Sequence, residues 1–257
     1  MKWALMRLLM RTAGRLSRGI RIGYRHGFDS GTMLDYVYVN ESHGLLGVGK
    51  LIDRAYLNAV GWRAIRARRD LLHNVLRDEV SARAGRALVL DVAAGPGRYL
   101  QDLAKEQPEI EVVCRDLAED GLRLGAAQAH GRGLTNIRYE RGDAFDPAPL
   151  DRPADIIVVS GLYELILDQE LIAKSVARLR DLLADDGVLV FTTQTRHPQL
   201  EFIANVLPNR DGDPWIMECR SAEQAHAWAR AAGFVDVLSR MERVGLFAVT
   251  TATTVER

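Results

Sequence analysis

Ala87-Leu-Val-Leu-Asp91-Val-Ala93-Ala-Gly95-Pro-Gly97-Arg-Tyr-Leu100 is the stretch on which the reading of this chain turns. An apolar run closes on an acid, breaks into small residues and glycines, and resumes as an amphipathic segment, so it reads as strand, tight turn and helix start. Residues with little or no side chain let a backbone approach a ligand closely, and the N–H groups opening the next helix offer donors to an anionic group. The loop is thus a candidate nucleotide cradle. An ordinary glycine turn looks the same in isolation, and the residues placed at fixed distances beyond the loop decide between the two.

Downstream of the loop, apolar runs and helical periods alternate regularly, which predicts a parallel sheet wound by right-handed crossovers. Strands are expected at Leu88–Val92, Glu111–Cys114, Ile137–Arg141, Ile156–Ser160, Val188–Thr193, Val235–Arg240 and Leu246–Thr253, with helices near Arg98–Glu106, Ala118–His130, Gln169–Leu183 and Ser221–Ala232. Ser221-Ala-Glu-Gln224 is a capping box. The connection between the last two strands is too short for a parallel crossover, so they must pair antiparallel. The expected fold is α/β: a three-layer, doubly wound, mixed seven-stranded sheet with an antiparallel last strand, preceded by an N-terminal helical extension. Three segments are expected: a basic amphipathic helix over 1–26, a helical and loop extension on the substrate side over 27–84, and a Rossmann-like domain over 85–257.

Asp116 comes 25 residues after Asp91 and ends the second strand, where a carboxylate can accept both hydrogens of a ribose diol. Gly142-Asp143-Ala144 ends the third strand, where an acid can receive an amino hydrogen from adenine. Each acid alone could be a helix cap or a surface residue; three at the ends of successive strands point to an adenosine.

The chain holds 34 basic and 34 acidic residues, so bulk charge predicts no nucleic-acid partner. Cys114 and Cys219 are its two cysteines, which indicates neither a disulfide framework nor a cysteine-ligated metal site, and no metal is expected. No apolar run approaches the roughly 20 residues of a spanning helix. Charge is concentrated in the N-terminal stretch: Arg7, Arg11, Arg15, Arg18, Arg21 and Arg25 recur at helical spacing opposite Leu5, Leu9, Leu16 and Ile20. Such a helix over residues 3–25 either lies in an anionic membrane interface or docks on its own domain. A cytoplasmic location is expected, peripheral on the inner face of the membrane in the first case. Gly27–Asn40 shows no period and is expected to be a structured loop; Leu51–Val80 is helical, with a junction at Gly61-Trp62. The Arg63, Arg66, Arg68 and Arg69 cluster reads as a solvated face.

With these residues assembled, the sequence resembles the class I S-adenosylmethionine-dependent methyltransferases from about Arg86 onward. The resemblance rests on Asp91–Gly97, Asp116, Gly142-Asp143-Ala144, the Leu183-Ala-Asp-Asp-Gly187 turn and the antiparallel terminal strand, with Ala93 standing where the general pattern has glycine. Phe28-Asp-Ser-Gly31, Leu34-Asp-Tyr-Val-Tyr38, Leu51-Ile-Asp-Arg54, Tyr56-Leu-Asn58, Gly61-Trp62-Arg63, Ser160-Gly-Leu-Tyr-Glu164 and His197-Pro-Gln-Leu-Glu201 look like a little-studied bacterial methyltransferase family found fused behind α/β-hydrolase domains or near lipid-synthesis domains. The resemblance implies S-adenosyl-L-methionine as cofactor, with Gly95 and Gly97 at its methionine portion, Asp116 at the ribose, Asp143 with Ala144 at the adenine and Ser160 beside the sulfonium; Asp91, Ala93 and Leu117 are further candidates for cofactor binding. By position, Tyr56 and Arg63 are candidates to close over the cofactor, Arg63 reaching its carboxylate. If the acceptor carries a proton, Tyr163, Glu164 and His197 are the candidate bases; His197, before Pro198, equally suits a turn histidine bonded to backbone.

The acceptor stays open between a lipid or other amphiphile at the membrane surface and a soluble small metabolite. A nicotinamide oxidoreductase is disfavoured, since no Tyr-x-x-x-Lys pair is present and Asp143 would have no partner. A non-catalytic binding protein that retains the fold is the remaining alternative.

Overall fold

The computed structural model describes residues 1–256. In chain order its elements are α1 (Lys2–Arg11), α2 (Arg18–His26), α3 (Gly31–Val39), α4 (Leu46–Leu57), α5 (Val60–Ala82), β1 (Leu88–Asp91), α6 (Arg98–Glu106), β2 (Glu111–Asp116), α7 (Glu119–Gly131), β3 (Ile137–Arg141), β4 (Ala154–Val159), α8 (Gln169–Arg180), β5 (Leu183–Gln194), α9 (Leu200–Val206), α10 (Ala222–Ala231), β6 (Asp236–Met241) and β7 (Phe247–Thr253), with short 3-10 turns at Ala13–Leu16 and Tyr163–Leu165. Two compact units result: Met1–Ala67 with His197–Met217, and Arg68–Arg196 with Glu218–Arg257.

The second unit is the sheet and its helices. Strand order is β3-β2-β1-β4-β5-β7-β6, with the first five strands parallel and β7 antiparallel to both β5 and β6. The expected mixed seven-stranded sheet is therefore present. Continuous apolar strands send alternate residues to opposite faces. Leu88, Leu90, Ile157, Val159, Leu189 and Phe191 pack with α8 and α10 residues such as Val176 and Trp228. Val89, Cys114, Ile156, Val158 and Val190 pack with Leu72 and Leu76 of α5 and with Leu100 and Leu103 of α6. The capping box is formed as expected, Ser221 Oγ accepting from Gln224 N at 3.3 Å and Gln224 Oε1 accepting from Ser221 N at 3.0 Å.

The first unit corrects two sequence expectations. Trp3–Arg25 is not one helix, because α1 ends at Thr12, whose hydroxyl turns back to Leu8 O at 2.7 Å, and a 3-10 turn comes next. Ser17 then starts α2 as its N-cap, accepting from Ile20 N at 3.0 Å. The arginines consequently do not share one face of a single helix. Gly27–Asn40 is not a loop either: Ser30 Oγ caps α3 by accepting from Met33 N at 3.2 Å, and Asn40 closes it at φ +56. Its residues include several β-branched and aromatic side chains of low helix propensity, which hid the period.

A single carboxylate organises this unit. Asp53, fully buried, accepts from Ser17 Oγ at 2.5 Å, Gly19 N at 2.7 Å, Tyr36 OH at 2.5 Å and His43 N at 2.8 Å. Next to it runs a chain of ring contacts, Tyr24–Phe28–Tyr56–Trp62–Trp215, with centroid separations of 5.3, 6.3, 5.6 and 6.1 Å. Tyr36 thus packs inside and serves the knot that holds α2, α3 and α4 together.

Candidate active site

The cradle lies in the second unit, at the carboxyl ends of β1, β2, β3 and β4. Asp91 ends β1 fully buried; its Oδ1 accepts from Ala93 N at 3.0 Å and its Oδ2 accepts from Tyr99 OH. One oxygen is engaged by the turn and the other by α6, so Asp91 braces the start of the cradle. Ala93 does not take a positive φ, so the methyl group standing in place of a glycine hydrogen carries no backbone strain. Gly97 is a different case, at φ +62 and opening α6, where a Cβ would lie 2.9 Å from Cys114 Sγ. Only glycine fits between β2 and that helix start. Gln101 Nε2 braces the loop from behind at 3.0 Å from Pro96 O and 3.0 Å from Tyr139 OH.

Burial pushes Asp91 up to about 7, the donors Tyr99 OH and Ala93 N partly offsetting it. The unfolded chain, with a value of about 3.9, gives up this proton more readily. Stability contributed by the protonated group is therefore complete below about pH 4 and is lost as pH rises through about 7. Denaturant titrations over that range are expected to show wild type losing a few kcal/mol relative to Asp91→Asn, which does not titrate; parallel profiles would contradict this.

Asp116 ends β2. Its Oδ2 accepts from Gly95 N at 2.8 Å and its Oδ1 from Ala118 N at 2.8 Å. Each carboxylate oxygen keeps a further lone pair, so the group can still receive two hydroxyl hydrogens. Leu117 beside it is exposed, offering an apolar surface suited to a flat ring. Asp143, exposed after β3, accepts from Phe145 N at 2.8 Å, while Ala144 is buried under the same turn. The open glycine turn, the diol-ready acid and the exposed leucine fit an adenosyl group carrying a short charged tail. A separate cleft of about 350 Å³ between α5 and α6, whose lining includes the pairs Arg132–Asp102 at 2.7 Å and His73–Glu106 at 3.0 Å, is not this cradle.

Beyond β4 the structure separates the candidate bases. Tyr163 belongs to the core, its hydroxyl 3.1 Å from Ser175 Oγ and its ring against Phe191 and Trp228; burial holds its pKa above the ordinary phenol range. It is withdrawn as a base because nothing outside the core can reach it. Glu164, also buried, faces Arg68 Nη1 at 3.4 Å and accepts from Thr192 Oγ1 at 3.1 Å; Thr192 Oγ1 in turn accepts from Gly161 N at 3.0 Å. Burial raises the Glu164 pKa, with the Arg68 cation pulling the other way. Glu164 Oε2 and Ser160 Oγ are buried polar atoms without a partner among the described residues.

Arg68 does not belong to a solvated face, contrary to the sequence expectation. It is 2% exposed, and its guanidinium lies 4.8 Å from the Phe247 ring centroid. A signal for this exists in the sequence: Arg68 falls between Ile65 and Leu72 on the apolar stripe of α5, where a cation needs a buried partner.

His197, Tyr56 and Arg63 belong to the first unit. His197 Nδ1 accepts from Gln199 N at 3.1 Å, and its Nε2 would lie 2.6 Å from a Cβ on Gly61. Burial lowers its pKa to about 4. It is the turn histidine, neutral and with its basic nitrogen occupied, and it is withdrawn as a base. Tyr56 sits half-buried in the aromatic chain, and Arg63 is exposed on α5.

With this geometry established, comparison with known proteins decides the family. A family profile described as "Putative methyltransferase" matches residues 1–254. The chain belongs to that family. Its fold is shared with solved S-adenosylmethionine-dependent methyltransferases. Among curated relatives, the uncharacterized protein YnbC of Escherichia coli (strain K12) is 39% identical over 97% of this chain and 44% of its own length. Nocamycin O-methyltransferase of Saccharothrix syringae is 36% identical over 49% of this chain and 44% of its own length. The chain thus spans less than half the length of either relative. Among solved structures, a Bordetella parapertussis protein described as a possible exported protein superposes with TM-score 0.72 at 19% identity, over 87% of this chain and 79% of its own. Magnesium protoporphyrin IX methyltransferase of Synechocystis PCC 6803, solved with bound SAH, gives TM-score 0.62 at 14% identity, over 90% of this chain and 98% of its own. At these identities the structural matches concern the fold.

Proposed function

We propose that this methyltransferase acts on a lipid or other amphiphilic acceptor at a membrane surface. The observation carrying this reading is the N-terminal stretch, which has no acidic residue before Asp29 and whose first helix buries none of its own side chains. S-adenosylmethionine would supply the chemistry when bound, a sulfonium-borne methyl group passed in line to an acceptor atom with S-adenosylhomocysteine as the leaving group. The chain's task is chiefly alignment. Gly95 and Gly97 admit the methionine portion, Asp116 holds the ribose hydroxyls, Leu117, Asp143 and Ala144 receive the adenine, and Ser160 stands beside the reacting end.

Glu164 is the remaining candidate to take a proton from the acceptor, with Oε1 held by Arg68 and Thr192 and Oε2 without a partner among the described residues. Glu164→Gln is expected to lower turnover about 100-fold with S-adenosylmethionine affinity unchanged; full turnover would remove the glutamate from the chemistry. A second reading, a soluble small-molecule acceptor, is favoured by the identity to Nocamycin O-methyltransferase. Incubation with methyl-labelled S-adenosylmethionine separates the two. Label in a whole-cell lipid extract supports the first, and label only in the small-metabolite pool replaces it with the second.

A further inference from the structure

Two groups of apolar side chains on the first unit are left in solvent by its own core. On α1, Leu5, Leu8 and Leu9 are 58%, 58% and 47% exposed; at the start of α4, Leu45, Leu46 and Leu51 are 54%, 81% and 67% exposed. Both groups flank one feature, the 3-10 turn Ala13–Leu16, against which α1 and α4 each pack. Leu45 N donates to Leu16 O at 2.8 Å, tying the second group to that turn. Leu46 stands at φ +56, a left-handed conformation that L side chains rarely adopt. An apolar residue held there and turned to water gives the unit nothing, since it packs on no core, so its use is sought in a partner.

Exposed cations accompany these leucines along the chain, with Glu41 an exposed acid before Leu45. Lys2, Arg11, Arg15 and Arg18 are exposed on the N-terminal segment and Lys50 and Arg54 on α4, whereas the carboxylate on the same helix, Asp53, is buried within the knot. A second copy of the chain meeting this face would bring like charges together in a self-complementary contact. An anionic bilayer matches it in both respects: headgroup phosphates for the cations and the acyl boundary for the leucines.

We propose that the outer side of α1 and the Leu45–Leu46 knuckle together form the surface by which the first unit docks on an anionic lipid bilayer. This rests on the reading of a membrane-surface acceptor and moves the contact from an uninterrupted N-terminal helix to a composite patch centred on the 3-10 turn. Leu46→Asn removes the apolar side chain while placing a residue tolerant of left-handed φ, so the fold keeps its turn. Leu8→Gln does the same on α1 with a good helix former.

Sedimentation of the full chain with phosphatidylcholine vesicles, and with phosphatidylcholine–phosphatidylglycerol vesicles, tests it. Wild type is expected to partition onto the anionic vesicles and not the neutral ones, and each variant to lose about tenfold in partition with an unchanged melting temperature. Wild type remaining in the supernatant overturns the proposal, as do variants that bind like wild type, or a wild-type dimer in sedimentation equilibrium that the same substitutions dissolve. Methyl transfer into detergent-dispersed lipid is read in parallel. Transfer without vesicle binding sinks the docking surface alone, and vesicle binding without transfer sinks the lipid acceptor alone.

Discussion

Asp53→Ala is expected to destabilise the first unit by about 4 kcal/mol, the range found when a buried charge network loses its central partner. Four buried or half-buried donors converge on this carboxylate, from Ser17, Gly19, Tyr36 and His43. Alanine leaves all four without an acceptor, and each orphaned donor costs about 1–3 kcal/mol before the structure relaxes. Relaxation is hindered because a Cβ on Gly19 would already lie 2.9 Å from the Tyr36 ring and 3.0 Å from Asp53, leaving no spare room around the knot. Amide hydrogen exchange reads the effect by position. The Gly19 and His43 amides lose protection while those of β1 and β4 keep theirs. Asp53→Asn preserves the shape but turns an N–H toward donors, and is expected to recover less than half of the loss. Protection unchanged at Gly19 in the alanine variant would refute the assignment of Asp53 as the organising group.

The second large effect is at Asp116. Asp116→Ala is expected to weaken S-adenosylmethionine binding about 100-fold, since hydrogen bonds to a charged acceptor contribute about 1.5–3 kcal/mol each and the proposed binding mode places two ribose hydroxyls on this one. The same carboxylate accepts from Gly95 N and Ala118 N, so its removal also loosens the glycine turn and the start of α7. Asp116→Asn separates the two contributions, keeping one oxygen for a hydroxyl or for Gly95 N but not both, and a loss nearer tenfold is expected. Equal affinities in wild type and the alanine variant would place the ribose elsewhere.

Much of the second unit is legible in the sequence because its signals are local. Strand-to-turn punctuation at Asp91–Gly97 and the acids at the ends of β2 and β3 need only sequence distance to be read, and α6 spans Arg98–Glu106 as its period indicates. The antiparallel pairing of β7 with β6 is implied by the shortness of their connection. Sequence and structure part where a contact between distant residues overrides a local pattern. Ser17 meets Asp53 across 36 positions and breaks what periodicity presents as one arginine-striped helix. Tyr163, in a segment that looks like a site loop, is drawn into the core by Phe191 and Trp228. Arg68 reads as solvated beside Arg66 and Arg69 until Glu164, 96 positions away, is seen to pair with it. Asp91 is recognisable as part of the cradle, but its role as a brace is hidden because its partner Tyr99 arrives only when α6 folds back.

The most direct test of the central claim is calorimetric titration of the intact chain with S-adenosylmethionine and, separately, with NAD. One saturable binding event with S-adenosylmethionine and none with NAD is the result predicted by the loop, Asp116 and Asp143 acting together. Heat from NAD alone would contradict it.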